Sequence, residues 1–195
     1  MKLYKYLDLK QSERFLKYNI VNLTPVIYHR DLPFYFSRIV LKSKQKIMQT
    51  LNKYYLITSF SETYDNDLMW TRYGEFSKGL CIEINLNRHK SNMRIKKVEY
   101  LKKREVKDYI KNTWNIDRLD HLDDLLLLKD NEFAFEQEVR LIAKTENHSS
   151  KEGKRQFYNF LDGEVSKIHL GRKCSVSSKS IKFYEDSFPT VSIVN

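Results

Sequence analysis

Phe133-Ala134-Phe135-Glu136-Gln137-Glu138-Val139-Arg140-Leu141-Ile142 is the stretch whose reading decides the fold. Read as a strand, alternate side chains fall on opposite faces. Glu136, Glu138 and Arg140 then share one face; Phe135, Val139 and Leu141 share the other, with Gln137 among them. The apolar face joins a core while two carboxylates and a guanidinium line a cleft. Read as a helix, Glu132, Glu136 and Arg140 stand four apart and make only solvated ion pairs, each worth about 0.3 kcal/mol. Val139 and Ile142 favour the strand, because β-branched side chains fit a pleated surface.

Before this stretch, Leu3–Leu7 alternates as a first strand, Gln11–Tyr18 reads as a short helix, and Asn22–Pro33 is extended or loop. Tyr35–Leu51 follows helical spacing, and Tyr54–Ser61 is a strand ending in hydroxyls. Asp65 suits an N-cap and Gly74 an exit, so a short helix between them carries Met69, Trp70 and Tyr73. Lys78-Gly79 turns into a strand at Leu80–Ile84, and Ile95–Tyr100 is another, pairing antiparallel. Leu101–Trp114 and Ile116–Leu128 read as helices, with Leu119, Leu122, Leu125, Leu126 and Leu127 inward. After the central stretch, the polar Lys144–Arg155 reads as a mobile loop. Gln156–Leu161, Val165–Leu170, Ile181–Tyr184 and Thr190–Val194 read as short strands. The pattern predicts an α+β fold, one domain over residues 1–195, with a mixed or mostly antiparallel sheet and flanking helices.

Composition narrows the function classes. A chain of 195 residues with 41% hydrophobic and 31% charged residues can bury one core and is not disordered. Two cysteines, Cys81 and Cys174, exclude a disulfide framework, and no Cys-x-x-Cys or His-Glu-x-x-His supplies zinc spacing, so no metal is expected. Cys81, in an apolar run, reads as a buried thiol. Met1–Tyr6 has no apolar signal region, and no window nears the roughly 20 apolar residues of a membrane span, so a reducing, cytoplasmic setting is expected. The net charge of +10 reads either as a lysine-rich, solvated surface that keeps the chain dispersed or as attraction to nucleic acid or phosphate-bearing ligands. A basic run holds Arg88, Lys90, Arg94, Lys96, Lys97, Lys102, Lys103, Arg104 and Lys107, a candidate nucleic-acid stripe. From Asp117 to Glu138 the sign reverses, with only Arg118 and Lys129 among the acids.

Six segments in order carry a resemblance: Leu3-Tyr4-Lys5-Tyr6; Ser59-Phe60-Ser61-Glu62 through Asn66-Asp67-Leu68-Met69-Trp70 to Tyr73; Lys78-Gly79-Leu80-Cys81-Ile82-Glu83; Val98-Glu99-Tyr100; Phe135-Glu136-Gln137-Glu138-Val139-Arg140-Leu141; and Ile168-His169-Leu170-Gly171. Together they resemble the bacterial domain-of-unknown-function family 2971, the block from Ser59 to Glu83 most specifically. Ser59-Phe60-Ser61 with Glu136-Gln137-Glu138 also resembles the serine strand and Glu-x-Glu elements of the ADP-ribosyltransferase superfamily. That resemblance implies an enzyme cleaving NAD, its substrate, at the nicotinamide–ribose bond, in a setting such as phage defence or a toxin–antitoxin system. Glu138 would be the main catalytic residue and Glu136 the acceptor-side one. Tyr4, Lys5, Ser59, Ser61, Trp70, Tyr73 and Arg140 would bind the dinucleotide. Relatives tend to read Leu-Tyr-Lys-Tyr-Arg on the first strand. Here Leu7 takes the basic position, which leaves positive charge to Lys5, Arg72 or Arg140.

The chemistry fits those residue types. Breaking a nicotinamide–ribose bond develops oxocarbenium character, which a fixed carboxylate stabilises. A second carboxylate on the same face can take the acceptor's proton. Each residue also has a plainer role: serines end strands and cap turns, Trp70 and Tyr73 pack a core, and Arg140 neutralises a carboxylate. The histidines, His29, His89, His121, His148 and His169, are scattered and none is given a catalytic role. Two alternatives stand beside the transferase: a metal-dependent nuclease using Glu83, Glu136 and Glu138, and a basic module that binds nucleic acid or a partner without catalysis.

Overall fold

The computed structural model describes residues 1–29, 41–86, 93–102, 105, 108, 122–145, 156–160 and 164–195. In chain order the strands and helices are β1 (Lys2–Leu7), α1 (Leu9–Tyr18), β2 (Ile20–Pro25), α2 (Leu41–Tyr54), β3 (Tyr55–Ser61), α3 (Asp67–Arg72), β4 (Leu80–Asn85), β5 (Met93–Lys97), β6 (Glu99–Leu101), α4 (Leu122–Leu125), β7 (Leu128–Asp130), β8 (Glu138–Lys144), β9 (Gln156–Asn159), β10 (Val165–Leu170), α5 (Ser178–Ser187) and β11 (Ser192–Val194). Short 3-10 turns cover Val26–Tyr28 and Asn131–Glu136. The fold is α+β, with mixed and mostly antiparallel pairing, as the sequence predicts. Among the described residues, no helix is long and apolar enough to cross a membrane. Contacts divide the chain into two compact units, residues 1–22, 59–88 and 157–195, and residues 23–58 and 89–156.

The first unit is built on the strand order β11-β10-β4-β1, with the end of β3 beside β1. The register sets Tyr4 opposite both Glu83 and Ser61, and Cys81 opposite His169. A bulge between Val165 and Lys167 shifts the β10–β4 pairing. Asp8 caps α1 by accepting from the Gln11 N–H at 2.7 Å, and Asn19 ends it in the left-handed conformation. The helix buries Phe15 and Leu16 and packs Phe15 on Tyr184 of α5. Full burial of such side chains is worth about 1.5–3 kcal/mol each. Two glycines permit close backbone approach: a Cβ on Gly79 would stand 1.9 Å from the Leu7 carbonyl oxygen, and one on Gly171 2.2 Å from that of Ser77.

In the second unit, β8 pairs with β5 on one side and with the start of β3 on the other, while β6 and β7 form a parallel pair. The core gathers Val26, Leu51, Tyr55, Ile57, Leu125, Leu126, Leu128 and Ile142.

Four expectations are corrected. The strand expected over 133–142 begins only at Glu138. Asn131–Glu136 forms a 3-10 turn, begun by the Asp130 carboxylate accepting from the Glu132 N–H and closed by Gln137 at φ 43°. Ile181–Tyr184, read as a strand, is helical in α5, because Ser177 caps the Ser180 N–H and one face buries Tyr184. Leu128, placed in a helix by its leucine spacing, pairs in β7. The cap of α3 is Asn66 rather than Asp65, its side chain accepting from the Leu68 and Met69 N–H groups. The expected helix over Leu101–Trp114 falls almost wholly outside the described residues. So do the loop after Thr145 and the start of the helix expected from Tyr35.

Candidate functional site

The carboxylate pair lies in the second unit, inside a buried cluster of two acids and two bases. Glu138 and Arg140 stand two apart on β8 and therefore on one face, while Val139 and Leu141 fill the other. Arg140 Nε donates to Glu138 Oε1 at 2.7 Å, and Nη2 to Oε2 at 3.1 Å. Its Nη1 donates to the Leu126 carbonyl at 2.6 Å. Lys129, on β7, extends its ammonium to Glu138 Oε2 at 2.8 Å and to Glu136 Oε2 at 2.5 Å. The same ammonium sits 5.2 Å from the centre of the Phe133 ring. Glu138 is only 3% exposed and Arg140 1%. The 3-10 turn matters here: it brings Glu136 round to Lys129, so one ammonium bridges both acids.

Burial alone would raise the Glu138 carboxyl, since a desolvated anion is disfavoured. Arg140 and Lys129 outweigh it and hold the group well below the usual carboxylate range. The backbone is fixed as well: the Glu138 N–H donates to the Tyr100 hydroxyl at 2.7 Å, and its carbonyl accepts from the Val98 N–H at 2.9 Å. Burial pushes the Tyr100 phenol up to about 12. A carboxylate has about four acceptor positions. Among the described residues three donors meet Glu138, one on Oε1 and two on Oε2.

Tyr4, Lys5, Ser59, Ser61, Trp70 and Tyr73 belong to the first unit. Tyr4 Oη donates to Glu83 Oε2 at 3.3 Å, and Lys5 Nζ to the Ser59 carbonyl at 2.6 Å. Ser61 Oγ accepts from the Thr63 N–H at 3.2 Å, the turn-capping role open to any serine at a strand end. Trp70 packs edge-on against Tyr6 at 5.1 Å, and its indole N–H donates to the Tyr64 carbonyl. Tyr73 is exposed. Of the basic run, Arg94, Lys96, Lys97 and Lys102 are exposed on or just after β5 and β6. Arg88, Lys90, Lys103, Arg104 and Lys107 lie outside the described residues.

Glu83 and His169 were not read as a pair from sequence. Glu83 is buried at the centre of the first unit's sheet and is met by Tyr4, by Ser166 Oγ at 2.8 Å and by Lys2 Nζ at 3.2 Å. The bulge in β10 aims Ser166 at it. Burial opposes its charge, but the Ser166 hydroxyl and the Lys2 ammonium prevail and lower it below the ordinary carboxylate value. His169 Nε2 stands 3.9 Å from Glu83 Oε2. Lys129 was likewise missed, although it is one of two bases in an otherwise acidic run. Among the described residues, no group of three His, Cys, Asp or Glu is placed to hold a metal ion.

These observations define an α+β protein with a buried carboxylate pair where a 3-10 turn leads into a sheet strand. Residues 69–141, from Met69 through Leu141, carry the family pattern described as Protein of unknown function (DUF2971). The match takes in α3 from Met69 onward, the Gly79–Glu83 segment and the Glu136–Arg140 cluster. No curated protein and no solved structure matches the chain, and the comparisons lend the ADP-ribosyltransferase resemblance no support.

Proposed function

We propose that this chain is an ADP-ribosyltransferase-like enzyme whose substrate is NAD. One observation carries the reading: the buried Glu138 carboxylate is fixed between the Arg140 guanidinium and the Lys129 ammonium, which favour its ionised form. An oxocarbenium-like transition state needs a fixed anion, and a carboxylate also accepts from a ribose hydroxyl. The C1′–N bond breaks and its electron pair leaves with nicotinamide. The acceptor's lone pair forms the new bond to C1′, and its proton passes to Glu136. Nicotinamide release from NAD, with water or an offered amine as acceptor, tests this. We expect release by the wild type, a loss of about 100-fold or more in Glu138→Gln, and a loss of transfer, with hydrolysis retained, in Glu136→Gln. A folded wild-type protein that releases no nicotinamide overturns the reading.

A second reading rests on β5, which presents exposed Arg94, Lys96 and Lys97 on a chain of net charge +10. A nucleic-acid-binding module would bind duplex or single strands with affinity falling steeply as salt rises. Binding without nicotinamide release selects it, and Lys96→Glu would then weaken binding across sequences.

A further inference from the structure

Within the first unit, His169 is held in an unusual way. Its Nε2 is buried and, among the described residues, has no hydrogen-bond partner. The acceptor facing it is Glu83 Oε2 at 3.9 Å, beyond hydrogen-bond reach. Its ring is covered by Tyr64, stacked at 4.3 Å between centres and 17° between planes. Tyr64 is itself 44% exposed and sits in the irregular segment between β3 and α3. That segment also bears on Tyr4, 5.4 Å away between ring centres, and receives the Trp70 indole N–H at the Tyr64 carbonyl.

We propose that His169 and Glu83 form a proton-operated latch: a neutral imidazole keeps Tyr64 and residues 62–66 seated on the sheet, and a protonated one releases them. The charge around the ring decides the direction. From β1 it is faced by Lys2 and Tyr4, from β4 by Cys81 and Glu83, from β10 itself by Lys167, and from above by Tyr64; β11 brings no titratable group. Glu83 alone favours the imidazolium, and its carboxylate is already shared among Lys2, Ser166 and Tyr4. An imidazolium left beneath Tyr64 would be desolvated beside two lysines. Lifting the Tyr64 ring gives it water. Burial, then Lys167 and Lys2, hold the histidine below its ordinary value despite Glu83, so the latch stays shut at neutral pH and opens on acidification.

Trp70 reports on the latch through its bond to the Tyr64 carbonyl, and Trp114→Phe makes it the sole indole. In that protein we expect a fluorescence transition with a midpoint below about 6.5, no change in far-ultraviolet circular dichroism, and increased hydrogen exchange over residues 62–66. His169→Phe keeps a flat ring for Tyr64 and should abolish the transition. Glu83→Gln should move the midpoint down, because the one anion favouring the imidazolium is gone. Should His169→Phe fail to fold, the His169 ring-proton resonance of the unmutated side chain must titrate with the fluorescence midpoint. Constant emission between pH 7.5 and 5, a transition that survives in His169→Phe, a midpoint unmoved in Glu83→Gln, or a coincident loss of circular dichroism each overturns the latch.

Discussion

Arg140 is among the largest fully buried side chains described, and its guanidinium donates to both Glu138 oxygens and to the Leu126 carbonyl. Removing one partner of a buried pair leaves an uncompensated charge, which costs more than the pair contributes. Arg140→Met should therefore lose about 3–5 kcal/mol, measured by urea unfolding, because the buried Glu138 carboxylate would lose its guanidinium. The double variant Arg140→Met/Glu138→Gln should recover part of that loss, since neither charge is then stranded. Glu138 and Arg140 were legible in the sequence as charges on one strand face, whereas Glu136, expected on the same face, sits in the 3-10 turn and joins them through Lys129. Lys129 was not, because it reaches them from β7, and cross-strand pairing leaves no local signature. The same holds for His169 and Glu83, which lie 86 positions apart and meet only through the β10–β4 register.

At the scale of elements, alternation and turn chemistry identified β1, β3, β4 and β10 nearly to the residue. The failures share a cause: tertiary placement overrode local preference. Ile181, Phe183 and Tyr184 favour strands by type, yet the Ser177 cap and the packing of Tyr184 on Phe15 make a helix. Gln137 takes the left-handed conformation, which no residue pattern announces, and the expected strand starts only after it. The turn from α3 into β4 offers the clearest test. Glu75, Phe76 and Ser77 all have positive φ, at 51°, 55° and 66°, and Gly79 lets the β4 entrance press on Leu7. A methyl group on Gly79 would meet backbone, which cannot rotate away as a side chain can. Gly79→Ala should thus lower the melting temperature further than Asp8→Ala, which removes a helix cap worth about 1 kcal/mol. Equal losses would mean that the turn moves freely.

For the whole molecule, the buried ionisable groups bound stability on both sides of neutrality, and the signs follow from linkage. Glu138 and Glu83 titrate below their unfolded values, so each contributes stability present above about pH 4.5 and lost as pH falls through its native value. His169 is also lowered, so the unfolded chain takes up its proton first and stability declines as pH falls from about 6.5. Tyr4 and Tyr100 are raised to about 12, chiefly by burial, so the unfolded chain loses phenolic protons first and stability declines as pH rises from about 10. Urea midpoints at pH 4, 5.5, 7.5 and 10.5 should therefore peak near 7.5. His169→Phe should flatten the step between 7.5 and 5.5 while leaving the drop to pH 4. Glu138→Gln should do the reverse, reducing the drop at pH 4 from an already lower plateau. A plateau extending unchanged from pH 7.5 to 4 would contradict the ionised state assigned to both carboxylates, and with it the fixed anion on which the NAD chemistry rests.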